Sequence, residues 1–178
     1  MAKCLVVYGS KYGSTQEVAQ SIADGLGADI ANAATHPDVR PYDVVVIGSP
    51  IYGGEFLPSV RDFVRVNRPL LAKRKIATFI TAAAQWERSV GLTGEEDDLV
   101  FTQQEYADGL ARLAGGEVLN SRGFGGRLDP KVLDQHDRSM LEWFYQWLMR
   151  EPLQGFDLID LPEAYRWGED LREIVGGA

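Results

Sequence analysis

The apolar positions of this chain alternate between two patterns. Leu5-Val6-Val7-Tyr8 is a short β-branched run closed by Gly9, and Val18, Ala19, Ile22 and Leu26 follow at helical spacing with Gln16, Glu17 and Gln20 on the other side. An unbroken run of this length reads as a parallel strand covered on both faces; spacings of three and four read as a helix with one buried stripe. The rhythm then repeats. Gly25 and Gly27 stop the helix, a weak strand is expected around residues 28–33, and Asp43-Val44-Val45-Val46-Ile47-Gly48 is the clearest strand of all. Val60, Phe63 and Val64 mark a helix after Pro58 that extends toward Leu71, and Ile76-Ala77-Thr78-Phe79-Ile80 is the next strand. A helix over residues 104–113 ends at Gly115-Gly116, residues 117–120 open a fifth strand, and helices are predicted over 132–149 and 163–175.

Strands alternating with helices predict an α/β fold with a mostly parallel sheet and helices on both faces. The 178 residues are expected to form one domain, 1–178. With 45% hydrophobic and 25% charged residues the composition is that of a globular chain, which excludes wholesale disorder. A net charge of −8 argues against a nucleic-acid partner and against a generally basic membrane-surface protein. The single cysteine, Cys4, lies in an apolar run and is expected to be a buried, inert thiol. One Cys and two His leave almost no room for a zinc site of the Cys/His type, so no metal site is expected. No apolar stretch is long enough to span a bilayer, and the chain opens on Lys3-Cys4-Leu5-Val6-Val7 without a signal-peptide pattern, so a cytoplasmic setting is expected.

In parallel α/β sheets, ligands sit beyond the carboxyl ends of the strands, so the segments after Tyr8, Ile47 and Ile80 are the places to look for chemistry. Gly9-Ser10-Lys11-Tyr12-Gly13-Ser14-Thr15 brings three hydroxyl side chains and several backbone amides to the start of a helix. The helix dipole and unsatisfied amides favour an anion there, and Gly13 lets the backbone approach it closely. A Ser/Thr-capped helix without a ligand is the alternative reading. Neither G-x-G-x-x-G nor G-x-x-x-x-G-K-[ST] is present.

Val6-Val7-Tyr8-x-Ser10-x-x-Gly13-x-Thr15-x-x-x-Ala19-x-x-Ile22 resembles the FMN-phosphate signature of the flavodoxin family. The resemblance implies a three-layer α/β/α sandwich around a five-stranded parallel sheet of order 2-1-3-4-5, with bound FMN. It makes Ser10, Tyr12, Gly13, Ser14 and Thr15 the phosphate binders, with Lys11 beside them either as part of the site or simply solvated. Ser49-Pro50-Ile51-Tyr52-Gly53-Gly54-Glu55 then becomes the first flavin-ring loop, in which Pro50, Ile51, Tyr52, Gly53 and Gly54 are cofactor contacts. Tyr52 is suited to stack on the ring, and Gly53-Gly54 to a peptide flip that in flavodoxins accompanies flavin protonation; a plain glycine turn with an exposed tyrosine is the alternative. Thr81-Ala82-Ala83-Ala84-Gln85-Trp86 is the second ring loop. In it Ala82, Ala83, Ala84 and Gln85 offer backbone amides, and Trp86 is either a second wall of the site or a core residue. Gly123-Phe124-Gly125-Gly126, placed after the fifth strand, either lines the same end of the sheet or forms a turn.

Charge is unevenly spread. Residues 61–75 carry six bases and one acid, and residues 87–98 carry five acids and one base. The acidic segment follows the second ring loop and is either a steering surface for a basic redox partner or a solvated loop. Met140, Trp143, Phe144, Trp147 and Leu148 make one large helical stripe, read as the face that closes the sheet or as a contact for a partner, substrate or membrane. The segment from Asp43 to Gly53, with an aromatic insertion around 127–155, is similar to the quinone-dependent protoporphyrinogen oxidases of the flavodoxin fold. That subfamily's insertion is basic, whereas residues 127–150 here carry four bases and four acids, which does not favour membrane association. The resemblances imply an FMN-binding redox protein that carries electrons between protein partners, or an FMN-dependent oxidoreductase acting on a small apolar substrate with a quinone acceptor. In either case the flavin carries the chemistry and no side chain is assigned a catalytic role, His36 and His136 included. Acidic surroundings, including Glu55, are expected to disfavour the anionic reduced flavin and lower its potential.

Overall fold

The computed structural model describes residues 2–82 and 102–177. Five strands form the body of the sheet: β1 (Cys4–Tyr8), β2 (Asp29–Asn32), β3 (Val44–Tyr52), β5 (Lys75–Ala82) and β6 (Glu117–Gly125). All pair in parallel, in the order β2-β1-β3-β5-β6, which is the expected 2-1-3-4-5 arrangement. One strand of this sheet was not foreseen: β4 (Glu55–Phe56) folds back antiparallel on the end of β3, making the sheet six-stranded.

Successive side chains of a strand point to opposite faces, and here both faces are covered. Cys4, Val6 and Tyr8 of β1 and Val44 and Val46 of β3 pack with helices α1 (Ser14–Leu26) and α5 (Leu161–Gly176). Leu5, Val7, Val45 and Ile47 pack on the other face with α2 (Pro58–Leu71) and α3 (Gln103–Ala114). This is the three-layer sandwich. Cys4 is buried, as expected, and burial, aided by Asp43, raises the pKa of its thiol. No helix among the described residues is long and apolar enough to cross a membrane.

The first layer is closed by α5 rather than by the aromatic stripe. Gly25 of α1 and Gly168 of α5 let the two backbones touch: a Cβ on Gly25 would collide with the Tyr165 carbonyl, and one on Gly168 with the Ile22 carbonyl. Trp167 fills the space beneath, edge-on to Phe79 and Phe124. Phe124 is thus a core residue, and Gly123, Phe124 and Gly125 belong to β6 itself, correcting the reading of a loop after the fifth strand.

Between β6 and α5 the chain makes an excursion. Its base is a two-stranded antiparallel pair, β7 (Arg127–Leu128) with β8 (Phe156–Asp157). Within it, α4 (Gln135–Phe144) continues into a π-helical turn over Tyr145–Met149 and stops at Arg150, at φ 57°. The predicted helix over 132–149 therefore begins three residues late, because the Asp134 side chain accepts from the Asp137 amide and caps it there. None of the side chains of α4 is buried, and Trp143 and Trp147 are 59% and 49% exposed. The reading of this stripe as the closing face is overturned by α5, whose small-residue contact with α1 brings its own tryptophan onto the sheet.

Candidate functional site

β1, β3 and β5 run in parallel and end on one edge, so the segments leaving them lie side by side. The Gly9 amide donates to the Gly48 carbonyl at 3.1 Å, extending the β1–β3 pairing into the first loop. Ser10 Oγ then accepts from the Gly13 amide at 3.0 Å and closes residues 10–13 into a turn. Gly13, at φ 97°, is the N-cap of α1, and no side chain caps the helix. This conformation is open to glycine and strained for other residues. The Ser/Thr-capped reading is thereby overturned: the first-turn amides of α1 are left facing out of the sheet edge, where they favour an anion. A Cβ built on Gly13 would meet no atom within 4 Å, so there is open space before the loop. Ser14 is half-buried beside it. Thr15 is 1% exposed, and its Oγ1 lies 2.8 Å from Thr81 Oγ1, one hydroxyl donating to the other and tying α1 to the end of β5.

Lys11 is not simply solvated. Its ammonium lies 2.8 Å from Asp134 Oδ2 and 2.7 Å from Asp137 Oδ2, both on the excursion. Hydrogen bonds that the ammonium donates to Asp134 and then to Asp137 hold the Lys11 pKa above its ordinary value. The Tyr12 hydroxyl donates to Asp137 Oδ2 at 2.6 Å and accepts from the Asp134 amide at 3.3 Å. Asp134 is pulled down to about 2, by the Asp137 amide first and Lys11 second. Burial works the other way on Asp137, but Lys11 and Tyr12 together hold its pKa below the usual value.

The second loop is a two-residue hairpin. Ile51 and Tyr52 pair with Phe56 and Glu55, and Gly53 and Gly54 make the turn at φ 56° and 80°. Positive φ at both central residues gives the turn whose twist matches the strands, and glycine takes it without strain. Pro50 is buried in β3, Ile51 is half-buried, and Tyr52 is 37% exposed with its ring edge-on to Tyr12, centroids 6.3 Å apart. Burial, and then the neighbouring Tyr12, raise the Tyr52 phenol to about 12, so it is neutral at any working pH. Glu55 pairs with Arg61 at 2.8 Å, anchoring the hairpin to the first turn of α2.

At the third strand end, Ala82 is half-buried and its carbonyl accepts from the Gly126 amide at 2.8 Å. Ala83, Ala84, Gln85 and Trp86 lie outside the described residues, as does the acidic segment 87–98. The structure therefore brings together the expected residues of the first two loops and adds three that sequence reasoning did not assign: Thr81, Asp134 and Asp137. Thr81 had a signal, a hydroxyl at the end of an apolar strand. Asp134-x-x-Asp137 was readable as a helix cap, but its meeting with Lys11 and Tyr12 was not.

Residues 5–151 match the family model of the flavodoxin domain. The chain belongs to the flavodoxin family. Solved structures agree on the fold. A flavodoxin, WrbA-like protein from Agrobacterium tumefaciens is 17% identical over 99% of each chain, with a TM-score of 0.56. Oxidised flavodoxin 1 from Bacillus cereus is 15% identical over 99% of each, with a TM-score of 0.57. A flavoprotein solved in complex with FMN, from Lactobacillus acidophilus, is 16% identical over 69% of this chain and 93% of its own, with a TM-score of 0.51. Membership of the family makes FMN the cofactor of this chain. The residues present fit it: an uncapped helix end with open space before Gly13 suits a phosphate, and the tyrosine-bearing glycine hairpin suits a planar ring.

Proposed function

We propose that this chain is an FMN-dependent electron carrier that passes electrons between protein partners in the cytoplasm, built as one domain from which residues 127–155 branch as an insertion. The observation that carries this reading is the start of α1: a helix end without a side-chain cap, entered through Gly13 at positive φ, beside the Tyr52 hairpin. Bound FMN supplies the one- and two-electron chemistry. The chain's own residues do the rest. Ser10, Gly13, Ser14 and Thr15 receive the phosphate through amides and hydroxyls, so no free cation is needed beside it. Tyr52, Gly53 and Gly54 present an aromatic face and an adaptable peptide to the ring. The net charge of −8 steers basic protein partners toward the molecule.

The reading is tested on the purified protein by denaturing it and separating the released cofactor, which should be FMN, and by following reduced protein as it exchanges electrons with a flavodoxin reductase. A flavin-free protein that fails to take up FMN at micromolar concentration overturns it.

One observation favours a second reading, an oxidoreductase acting on a bulky apolar substrate such as a porphyrinogen with a quinone acceptor. Trp143 and Trp147 are stacked, centroids 5.4 Å apart and planes 5° from parallel, on an exposed helix attached to the phosphate loop. Multiple-turnover anaerobic oxidation of a reduced porphyrin, with salt-sensitive co-sedimentation on anionic liposomes, would establish it over the carrier.

A further inference from the structure

We propose that Asp137, assisted by Asp134, is a positioning residue for the cofactor site: it clamps the phosphate loop from outside and sets the Tyr12 ring against which Tyr52 is held. The inference rests on the reading of residues 10–15 as the phosphate loop.

With none of the side chains of α4 buried, apolar packing does little to hold this helix. Its attachment is polar, and the contacts converge on one place. Asp137 takes the Tyr12 hydroxyl at 2.6 Å and the Lys11 ammonium at 2.7 Å, and Asp134 takes Lys11 at 2.8 Å. At the base of the excursion Arg127 reaches Glu17, in the first turn of α1, at 2.8 and 3.1 Å, and Asp157 at 2.8 Å. These side-chain contacts meet residues 11, 12 and 17, which bracket the uncapped helix end.

These contacts differ in weight. The Lys11 pairs are largely in solvent, where ion pairs contribute little. The Tyr12–Asp137 bond is short, charge-assisted and half-buried, and such bonds are about twice as strong as neutral ones. It also has a destination. The Tyr12 ring that it fixes meets Tyr52 edge-on, so one carboxylate on α4 holds both the phosphate loop and the aromatic residue of the ring loop. Lys11, shared between two carboxylates, is committed to the clamp rather than left over as a counter-ion.

Flavin-free wild type, Asp137→Ala, Asp137→Asn, Tyr12→Phe and Ser10→Ala are compared by near-ultraviolet circular dichroism and then titrated with FMN. Asp137→Ala should change the tyrosine bands before FMN is added, in the same sense as Tyr12→Phe, and should weaken FMN binding about tenfold, or ~1.4 kcal/mol. Asp137→Asn keeps an oxygen that can accept from the Tyr12 hydroxyl, so it should recover most of the bands and of the affinity. Unchanged tyrosine bands in Asp137→Ala, or affinity within about twofold of wild type, overturn the clamp, as does an Asn variant no better than the Ala variant. If Ser10→Ala weakens binding while Asp137→Ala does not, the clamp falls and the phosphate loop stands. If wild type takes up no FMN, the proposed function falls and the tyrosine bands alone decide the clamp.

Discussion

Gly13 and Thr15 show how far single residues determine this site. Gly13 at φ 97° turns the chain into α1 while leaving the first-turn amides uncapped. Gly13→Ala should therefore cost about 1–2 kcal/mol in backbone strain, read as a lower denaturant midpoint, and should weaken FMN binding as well. Ser10→Ala and Thr15→Ala should each weaken FMN binding by about 1–3 kcal/mol, the range for an unmade hydrogen bond to a charged group, measured by fluorescence titration. Thr15 carries a second expectation. Because its hydroxyl is bonded to Thr81, Thr15→Ala and Thr81→Val should be non-additive in a double-mutant cycle, whereas additive effects would mean the two act separately. The donors of the loop were legible in Ser10, Ser14 and Thr15 as they stand in the chain. The bond from Thr15 to Thr81 was not, because the pairing is made by the sheet, across 66 positions of sequence.

At the scale of elements, the β3–β4 hairpin and α4 behave differently. Gly54 sits at φ 80° in a two-residue turn, and a Cβ there would approach the Tyr106 hydroxyl to 3.3 Å. Gly54→Ala should lower stability by about 1 kcal/mol or more and shift the flavin midpoint potential, a pairing that potentiometry and thermal unfolding test together. The attachment of α4 should depend on pH. Asp134 is depressed to about 2 from an ordinary 3.8, so its contribution is present above the ordinary value and lost as pH falls toward 2; Asp137 moves in the same direction. Lys11 is raised, so its contribution is intact below its ordinary 10.5 and is lost only in strong alkali. The tyrosine bands of flavin-free protein should hold steady from about pH 5 to about pH 9 and change in acid below about pH 4. A midpoint near neutrality would contradict this assignment. The strands β1, β3 and β5 were legible because both their faces are buried and their apolar runs are continuous. Of the two readings of the aromatic stripe that begins on α4, the closing face fails because helical periodicity marks an apolar face without saying what covers it. The small-residue contact of Gly25 and Gly168, which brings α5 there instead, has no such pattern.

For the whole molecule, the parallel sheet follows from strands that alternate with helices, its order from the resemblance to the flavodoxin signature, and the site from the shared edge at which β1, β3 and β5 end. The parallel order was expected in full. β4 was not, since two residues are too few to show a period, and the antiparallel return depends on the positive φ values of Gly53 and Gly54. Function divides along similar lines: the loop residues spoke for an anion and their resemblance to the flavodoxin signature for FMN, while the excursion's attachment to the phosphate loop emerged only in three dimensions. At this edge the protein is expected to hold FMN and cycle it between redox states. An anaerobic, stepwise redox titration of the purified protein, followed by its visible spectrum, tests that most directly. The expected result is a yellow protein that bleaches and recovers reversibly, with midpoint potentials displaced from those of free FMN and moved again by Tyr52→Ala. A protein with no flavin spectrum after incubation with FMN, or one whose flavin titrates as free FMN does, would contradict it.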